Sequence, residues 1–239
     1  MTNYTGQDAR VYQQTNGKMK MLFPGLERAI PIIKHTGGKL LDVGCGHGDI
    51  FPIVKKAGYS YYGLDSSADM LAIASEKWPE GYYRTGKATS LAICYSHKFD
   101  VVVISMLFPA ISRMPDIDQI LRESRLMLAR KGKIIIGVTH PAFDHYMLAH
   151  LNQRKDVDTF FQGYFASGSN YKTTQSFPNG EIVFSDYHWT ISDYIKAIIG
   201  AGLIVTKLDE CMPAVEEGSE TIFSANIPSY MILTCESRN

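Results

Sequence analysis

The fold is decided by residues 40–49, which read LLDVGCGHGD. The apolar residues Leu40, Leu41 and Val43 form a run too short for a helix, and they lead directly into three alternating glycines. This pattern is typical of a buried strand that ends in a tight glycine loop before a helix. Because glycine has no Cβ, such a loop lets a ligand approach main-chain N–H groups and the start of the next helix.

The spacing of the glycines narrows the class of ligand. Gly44, Gly46 and Gly48 follow the pattern G-x-G-x-G, and Asp42 stands two residues before the first of them. The dinucleotide-binding fingerprint is G-x-G-x-x-G, with the pyrophosphate on the helix N-terminus. The tighter spacing therefore disfavours a nicotinamide-dependent oxidoreductase, which stays an alternative.

The motif resembles D-x-G-x-G-x-G, the first motif of class I S-adenosylmethionine (SAM) dependent methyltransferases, and the chain is similar to their small-molecule, type 11-like branch. The resemblance implies an α/β, Rossmann-like, doubly wound fold. This fold has a mostly parallel seven-stranded sheet, helices on both faces and a lid insertion after the fifth strand. The resemblance also implies that Asp42 lies near the aminoacyl end of SAM. The loop residues Gly44, Cys45 and Gly46 would pack beside the methionine and ribose portions.

A second element of the motif is Asp65, which ends the second predicted strand 21 residues after Gly44. An acid at roughly this offset, about 20 residues, accepts hydrogen bonds from ribose hydroxyls. We therefore predict that Asp65 binds the ribose and that Ser66 belongs to the same site. The alternative is that Asp65 caps the next helix, a role that Ser66 or Ser67 could also fill.

Three further cofactor contacts come from the resemblance. Met70 lies in the first turn of the next predicted helix, where the family often has a residue that packs on the adenine. Many relatives carry an acid before the position of Ala88. Because this chain has Lys87 there, we expect backbone groups near Ala88 and Thr89 to serve instead.

The strand end at Ser105 also points to a class of acceptor. Phe99 to Ile104 form a continuous apolar run, as expected for a central parallel strand, and Ser105 follows it at the cofactor site. Enzymes that methylate amino groups of DNA and protein usually carry Asn or Asp followed by Pro-Pro-Tyr here, and this chain does not. A small-molecule acceptor is therefore favoured.

Aromatic residues accumulate between Pro141 and Trp189, where regular periodicity fails. A long irregular connection inside a compact domain is usually functional, and this one follows the fifth strand, at the edge where open α/β sheets bind ligands. We predict that residues 141–189 form an aromatic-rich substrate lid. The alternative is that these rings only close a subsidiary core.

Candidate bases lie on the lid side of the predicted sheet. Methyl transfer is a direct displacement, and a His of near-neutral pKa is the usual proton acceptor when the acceptor is a hydroxyl, an amine or an activated carbon. His140 and His188 are the predicted catalytic residues, since they match a His-Pro and an aromatic-His segment of small-molecule relatives, and His145 is a weaker candidate. Glu210 and Asp144 are acids that could orient a base, and structural roles remain open for all five residues.

The other elements follow from periodicity. Apolar spacing predicts helices over Met21–Lys34 and Asp116–Arg130, the latter with Gly132 as C-cap before a strand at Lys133–Val138. Thr190 with Asp193 predicts a capping box for a late helix. The family arrangement implies an antiparallel last strand.

Composition limits the partners and the compartment. The chain has 239 residues with 24 basic and 24 acidic side chains, so it has no net charge to attract nucleic acid or an anionic membrane. We expect a single domain over residues 1–239, with residues 1–20 as an N-terminal arm or flap. No signal peptide or membrane span is evident, which predicts a cytoplasmic protein, either monomer or homodimer.

Metal chemistry is not predicted. The cysteines lack CxxC spacing or a nearby His pair, and no cluster of acids suits Mg²⁺; the four cysteines are Cys45, Cys94, Cys211 and Cys235. The sequence therefore predicts a SAM-dependent methyltransferase acting on a small, aromatic or hydrophobic acceptor at O, N or C. A non-catalytic SAM-binding or partner-binding module and a macromolecular methyltransferase remain alternatives.

Overall fold

The computed structural model describes residues 10, 22–34, 37–143, 157–158, 163–177, 180–211, 228 and 230–238. The predicted α/β fold with a mostly parallel seven-stranded sheet is confirmed. The strands are β1 Lys39–Val43, β2 Ser60–Asp65, β3 Tyr82–Thr85, β4 Phe99–Ser105, β5 Leu128–Thr139, β6 Val157–Asp158, β7 Asn170–Phe177, β8 Gly180–Tyr187, β9 Leu203–Cys211 and β10 Tyr230–Ser237.

Six α-helices lie among the described residues. They are α1 Leu22–Ala29, α2 Phe51–Lys56, α3 Ala68–Lys77, α4 Leu91–Cys94, α5 Met114–Met127 and α6 Ile191–Gly200. Two 3₁₀ turns, Ala88–Ser90 and Phe108–Ala110, follow β3 and β4. The predicted capping box of α6 is confirmed, since the Thr190 side chain accepts from the Asp193 N–H and the Asp193 carboxylate accepts from the Thr190 N–H.

The strand order in the main sheet is β3-β2-β1-β4-β5-β10-β9. Strands β1 to β5 pair in parallel, and β10 is antiparallel to both of its neighbours, as predicted. The chain order reverses between β1 and β4. Ligands of open α/β sheets bind at such a switch point, beyond the carboxyl ends of the strands.

Apolar side chains pack on both faces of the sheet, which explains why the central strands lack a polar face. Val101 to Ile104 and Ile134 to Ile136 are each at most 1% exposed. Successive side chains of a strand point to opposite faces, so each of these runs contributes side chains to two hydrophobic cores. One core contains Val102 and Ile104 and the other contains Val101 and Val103.

Two predicted boundaries were wrong. Helix α1 ends at Ala29, and residues 31–34 have no regular structure. Pro31 is the physical reason, because the residue before a proline is driven out of the helical region and the proline itself has no N–H. The second error concerns α5, which ends at Met127 because Leu128 has already adopted extended geometry.

Strand β5 therefore starts at Leu128, and Gly132 is not a C-cap but lies inside the strand. The pairing with β4 shifts register there, since Phe99 faces Leu128 whereas Val101 faces Lys133. The extra residues bulge out at Lys131, a non-glycine residue with a φ of 66°. Such a bulge interrupts the ladder locally, which is why the strand signal was readable only after Gly132.

The connection after β5 is more regular than its sequence suggested. Strands β6, β7 and β8 form a separate three-stranded antiparallel sheet inside the predicted lid. Polar and aromatic residues alternate weakly along these strands, so the period-2 signal was missed. Residues 144–156 lie outside the described part of the chain, and with them the predictions for Asp144 and His145; of the predicted arm, the structure describes only Arg10.

Candidate functional site

The glycine loop after β1 is held by backbone hydrogen bonds to the end of β2. The N–H groups of Gly44 and Cys45 both donate to the carbonyl of Leu64, at 2.7 and 3.1 Å. Gly44 has a φ of 73°, and a Cβ there would lie 2.8 Å from Leu107 Cδ1. Only glycine satisfies both conditions, so the loop can turn tightly against the residue that follows β4.

Gly46 and Asp65 form the best defined polar contact of the site. The N–H of Gly46 donates to Asp65 Oδ2 at 2.8 Å, and the N–H of Ser67 donates to Asp65 Oδ1 at 2.9 Å. A carboxylate has about four lone-pair positions, so both oxygens keep acceptor capacity. Gly46 has a φ of 52°, and a Cβ added there would meet no atom within 4 Å. Open space therefore lies beside a carboxylate whose position the loop fixes.

The elements after β2 are arranged around Asp65. The predicted alternative that Asp65 caps α3 is not what the structure has, because Ser67 is the N-cap and its hydroxyl accepts from the Met70 N–H at 3.3 Å. Met70 is buried, and Ser66 is half-buried. The N–H of Gly86 donates to the carbonyl of Asp65 at 2.9 Å, which ties the end of β3 to the same point.

The 3₁₀ turn after β3 brings the next predicted contacts to this edge. Ala88 is 4% exposed and Thr89 is half-buried, whereas the side chain of Lys87 is exposed. Lys87 is thus directed to solvent, and it does not replace the acid found in relatives. Backbone groups of the turn remain the polar groups available there.

Asp42 is buried among other titratable groups. Only 3% of it is exposed, and Oδ2 accepts from the Tyr61 hydroxyl at 2.7 Å. Burial is the largest cause that raises the pKa of Asp42 to about 7; Asp65 and Asp49 raise it further, while the bond from Tyr61 lowers it. Tyr61 was missed in the sequence analysis because a tyrosine on a strand gives no sign of which side chain its hydroxyl meets.

Beyond β4 the backbone is strained. Ser105 is half-buried at the strand end, and Met106 has a φ of 56° although it is not glycine. The N–H of Met106 donates to the carbonyl of Gly137 at 2.7 Å, which holds this conformation against β5. Such residues cost on the order of 1–3 kcal/mol and cluster at functional sites. Here the turn presses Leu107 onto Gly44.

His140 pairs with Glu210 across the sheet. His140 follows β5 and is 3% exposed, and its Nε2 lies 2.9 Å from Glu210 Oε1. Its Nδ1 accepts from the N–H of Ala142 at 3.3 Å, and the Phe143 ring lies 5.0 Å away, between centroids. The sequence had offered Glu210 as an acid that could orient a base, and the structure brings the two side chains into contact.

His188 has a different environment. Its side chain is fully buried, and Nε2 lies 2.7 Å from the carbonyl oxygen of Tyr164, so this nitrogen carries a proton and donates. The neighbouring Trp189 donates from Nε1 to the carbonyl of Ile111 at 3.1 Å. These contacts fasten the small sheet to the loop after β4. The structure therefore places His188 where the small sheet is attached, rather than at an open surface.

One family model matches the part of the chain that contains this site. This model, described as a methyltransferase domain, matches residues 41–136, which run from the end of β1 to the middle of β5 and include the glycine loop and Asp65. The predicted resemblance to a type 11-like methyltransferase domain is confirmed over this segment.

Two curated relatives match this chain over part of their length. A demethylmenaquinone methyltransferase from Thermotoga maritima is 35% identical over 107 residues, which cover 44% of this chain and 45% of the relative. A ubiquinone biosynthesis O-methyltransferase from Methylococcus capsulatus is 28% identical over 152 residues, or 60% of this chain and 63% of the relative. The chain thus spans about half to under two thirds of the length of these relatives.

The fold of most of this chain is similar to that of a solved structure. The crystal structure of an S-adenosylmethionine dependent methyltransferase from Listeria monocytogenes superposes with a TM-score of 0.64 at 21% identity. The match covers 90% of this chain and 96% of that one. The overall arrangement of sheet and helices is therefore shared beyond the segment matched by the family model.

Metal ligation and membrane insertion were both considered for the part of the chain that the structure describes. No group of three or more His, Cys, Asp or Glu side chains converges there in a way that would hold a metal ion. None of the described helices is both long enough and apolar enough to span a bilayer.

Proposed function

We propose that this chain transfers a methyl group from SAM to a small aromatic acceptor by direct displacement. The observation that carries the proposal is the open space at Gly46 beside the fixed carboxylate of Asp65. A ribose needs an acceptor for its hydroxyls and bare backbone against which to pack. Both are present at the switch point of the sheet, where a ligand is expected.

Different residues around this point would contact different parts of the cofactor. Asp65 and Ser66 would receive the ribose hydroxyls, and the loop residues Gly44, Cys45 and Gly46 would lie along the ribose and methionine portions. Asp42 would face the aminoacyl end. Met70, Ala88 and Thr89 would border the adenine, with Ser105 beside the reacting end. SAM supplies an electrophilic methyl group on a sulfonium, and the protein then has to hold the acceptor in line and exclude water.

An aromatic ring that carries hydroxyl groups is the acceptor class we propose. The names of the two relatives refer to demethylmenaquinone and to ubiquinone biosynthesis, both of which involve quinone or quinol rings. The region after β5 contributes aromatic side chains, among them Tyr164 and Trp189, and we propose that residues 141–189 act as the lid over such a ring. His140 stands at the strand end that would face it, whereas His188 would fix the lid.

The remaining expectations belong to the same proposal. A cytoplasmic enzyme, monomeric or homodimeric, with a single domain and no nucleic-acid or membrane partner, is consistent with the balanced charge. A non-catalytic SAM-binding module is the second candidate function. It would keep Asp65 and the glycine loop but transfer no methyl group.

Methyl transfer to a defined panel tests the proposal. The purified chain is incubated with SAM and a catechol, a hydroquinone or a naphthohydroquinone, and the products are analysed by mass spectrometry. We expect a gain of one methyl group on at least one ring together with formation of S-adenosylhomocysteine (SAH). SAH binding without methylation of any panel member would favour the non-catalytic module.

Asp65→Ala is the variant that tests the ribose assignment. Removing a charged acceptor should weaken SAH binding by roughly 1–3 kcal/mol. Asp69→Ala is the matched control, because Asp69 is exposed on α3 four residues further along. Equal SAH affinity in wild type and Asp65→Ala would show that the carboxylate does not bind the ribose.

A further inference from the structure

We propose that Glu210, rather than a histidine, accepts the proton of the methyl acceptor, and that His140 is the positioning residue that holds the Glu210 carboxylate. The inference rests on the proposed function, because it assigns a role within methyl transfer to a hydroxyl. It changes the identity of the base that the sequence predicted.

The hydrogen bonds of His140 determine which of its nitrogens carries a proton. The N–H of Ala142 donates to Nδ1, so Nδ1 must present its lone pair. The proton then lies on Nε2, which donates to Glu210 Oε1 at 2.9 Å. A neutral imidazole has a single lone pair, and in His140 a backbone group already occupies it. His140 is therefore a donor here, without a free basic nitrogen.

The side chains of His140 and Glu210 differ in exposure, and this difference also favours Glu210 as the proton acceptor. The side chain of His140 is 3% exposed, whereas that of Glu210 is 56% exposed. Phe143 packs its ring against the imidazole and covers it further. Of about four lone-pair positions on a carboxylate, the bond to His140 uses one. Glu210 therefore presents an accessible oxygen while its other oxygen is held in place.

The sheet puts this carboxylate at the same edge as the glycine loop. Thr139, Tyr230 and Cys211 form one row across β5, β10 and β9, so His140 and Glu210 lie beside that row, at the carboxyl ends of β5 and β9. Strand β4 lies between β5 and β1. With strands about 4.8 Å apart, the end of β5 is roughly 10 Å from the loop after β1, and β9 is roughly 19 Å from it. The contact with His140 brings the Glu210 carboxylate back to the residue that follows β5, and we place the acceptor between that carboxylate and the loop.

Among the described residues, the charged pair that lies closest to Glu210 along β9 does not involve its carboxylate. Lys207 Nζ and Asp209 Oδ2 pair with each other at 2.7 Å. Because side chains of a strand alternate, these two residues lie on the face of β9 opposite to Glu210. The partner that the structure gives Glu210 is thus a neutral N–H donor, which orients the carboxylate without consuming its negative charge.

The proposed step balances as follows. A lone pair of the acceptor oxygen forms a bond to the methyl carbon, and the carbon–sulfur bond breaks with its electron pair left on sulfur, which gives the neutral thioether SAH. The acceptor O–H becomes strongly acidic as positive charge develops on oxygen, and its proton passes to the free oxygen of Glu210 and later to water. The proton moves while this charge forms.

Two substitutions separate the roles. Glu210→Gln keeps the shape of the side chain but removes its charge, and His140→Gln keeps a side-chain N–H that can still donate to Glu210. The first readout is the ionisation of 4-nitrocatechol bound to the SAH complex, followed by its absorbance during a pH titration. A neighbouring carboxylate raises the pKa of the bound phenol, so we expect Glu210→Gln to lower this pKa by about one unit or more, with little change in His140→Gln.

The second readout is methylation of 4-nitrocatechol with SAM. Glu210→Gln should lower kcat by roughly 100-fold or more at similar KM, and His140→Gln by far less. The opposite ranking of the variants, or 4-nitrocatechol that fails to bind, would overturn the assignment of Glu210.

The SAH affinity of wild type, Glu210→Gln and His140→Gln distinguishes a failure of the proposed function from a failure of the role proposed for Glu210. Failure of wild type to bind SAH would refute the proposed function itself. Normal SAH binding with the same phenol pKa in wild type and Glu210→Gln would refute the role of Glu210 alone. Circular dichroism and thermal unfolding of both variants show whether either substitution has disturbed the fold.

Discussion

The buried carboxyl of Asp42 lowers the free energy of unfolding by an amount that depends on pH. Burial raises its pKa from 3.8 to about 7. Between these two values the folded chain holds a proton on Asp42 that the unfolded chain has released. The unfolded state therefore binds fewer protons, so the free energy of unfolding falls as the pH rises through this window.

Asp42→Asn should remove this cost. The amide carries no charge, and its oxygen can still accept from the Tyr61 hydroxyl. Between about pH 4 and about pH 7 wild type should lose stability relative to the variant, by up to about 1.4 kcal/mol per pH unit, so the variant should be the more stable protein at the upper end. Urea unfolding at a series of pH values measures both curves. Asp69→Asn, at an exposed position, is the control, and parallel curves for wild type and Asp42→Asn would contradict the account of Asp42.

Replacing Gly46 by alanine adds a single methyl group to the glycine loop. Gly46→Ala places a Cβ in the open space that we assign to the cofactor and adds the strain of a non-glycine residue in the left-handed region, about 1 kcal/mol. Gly37 also has a positive φ with nothing within 4 Å of an added Cβ, but it lies before β1. We expect both alanine variants to lose similar stability, and only Gly46→Ala to lose SAH binding in calorimetry. SAH affinity equal in the two variants would show that the space at Gly46 holds no ligand.

At the scale of elements, polar contacts attach the segment before α6 to the rest of the molecule. The Trp189 indole donates to the carbonyl of Ile111, and the Tyr164 hydroxyl accepts from the N–H of Ile191 at 3.1 Å. The side chains of Ser167 and Asp193 are also in contact at the N-terminus of α6. The segment that we propose as the lid is thereby attached at two points, the loop after β4 and the start of α6.

Trp189→Phe measures one of these attachments. The substitution leaves the buried carbonyl of Ile111 without its donor, which should cost about 1–3 kcal/mol beyond the loss of packing. Trp78→Phe is the matched control, because the buried indole nitrogen of Trp78 has no hydrogen-bond partner in the structure. Urea unfolding compares the two. A cost of Trp189→Phe no larger than that of Trp78→Phe would mean that the hydrogen bond does not hold the lid.

The elements also differ in how well the sequence predicted them. The capping box at Thr190 rests on contacts between residues close in the chain, and the glycine loop has a motif whose spacing is visible in the sequence, so both were predicted. The bulge in β5 and the sheet β6–β8 depend on pairing with other strands. Periodicity within one segment does not report such pairing.

For the whole molecule, the mostly parallel seven-stranded sheet and its antiparallel last strand followed from the resemblance. The partners of buried polar side chains did not follow. Asp42 meets Tyr61 through strand register and rotamer, and His140 meets Glu210 over 70 residues of sequence. Which nitrogen of His140 is free depends on the N–H of Ala142, a backbone contact that no motif encodes.

The central claim is that the space between the glycine loop and Asp65 binds SAM. Calorimetric titration of the full chain with SAH, and separately with NAD, tests it most directly. We predict binding of SAH with a stoichiometry of one per chain and no heat with NAD. Binding of NAD without SAH would contradict the claim and assign the site to a dinucleotide.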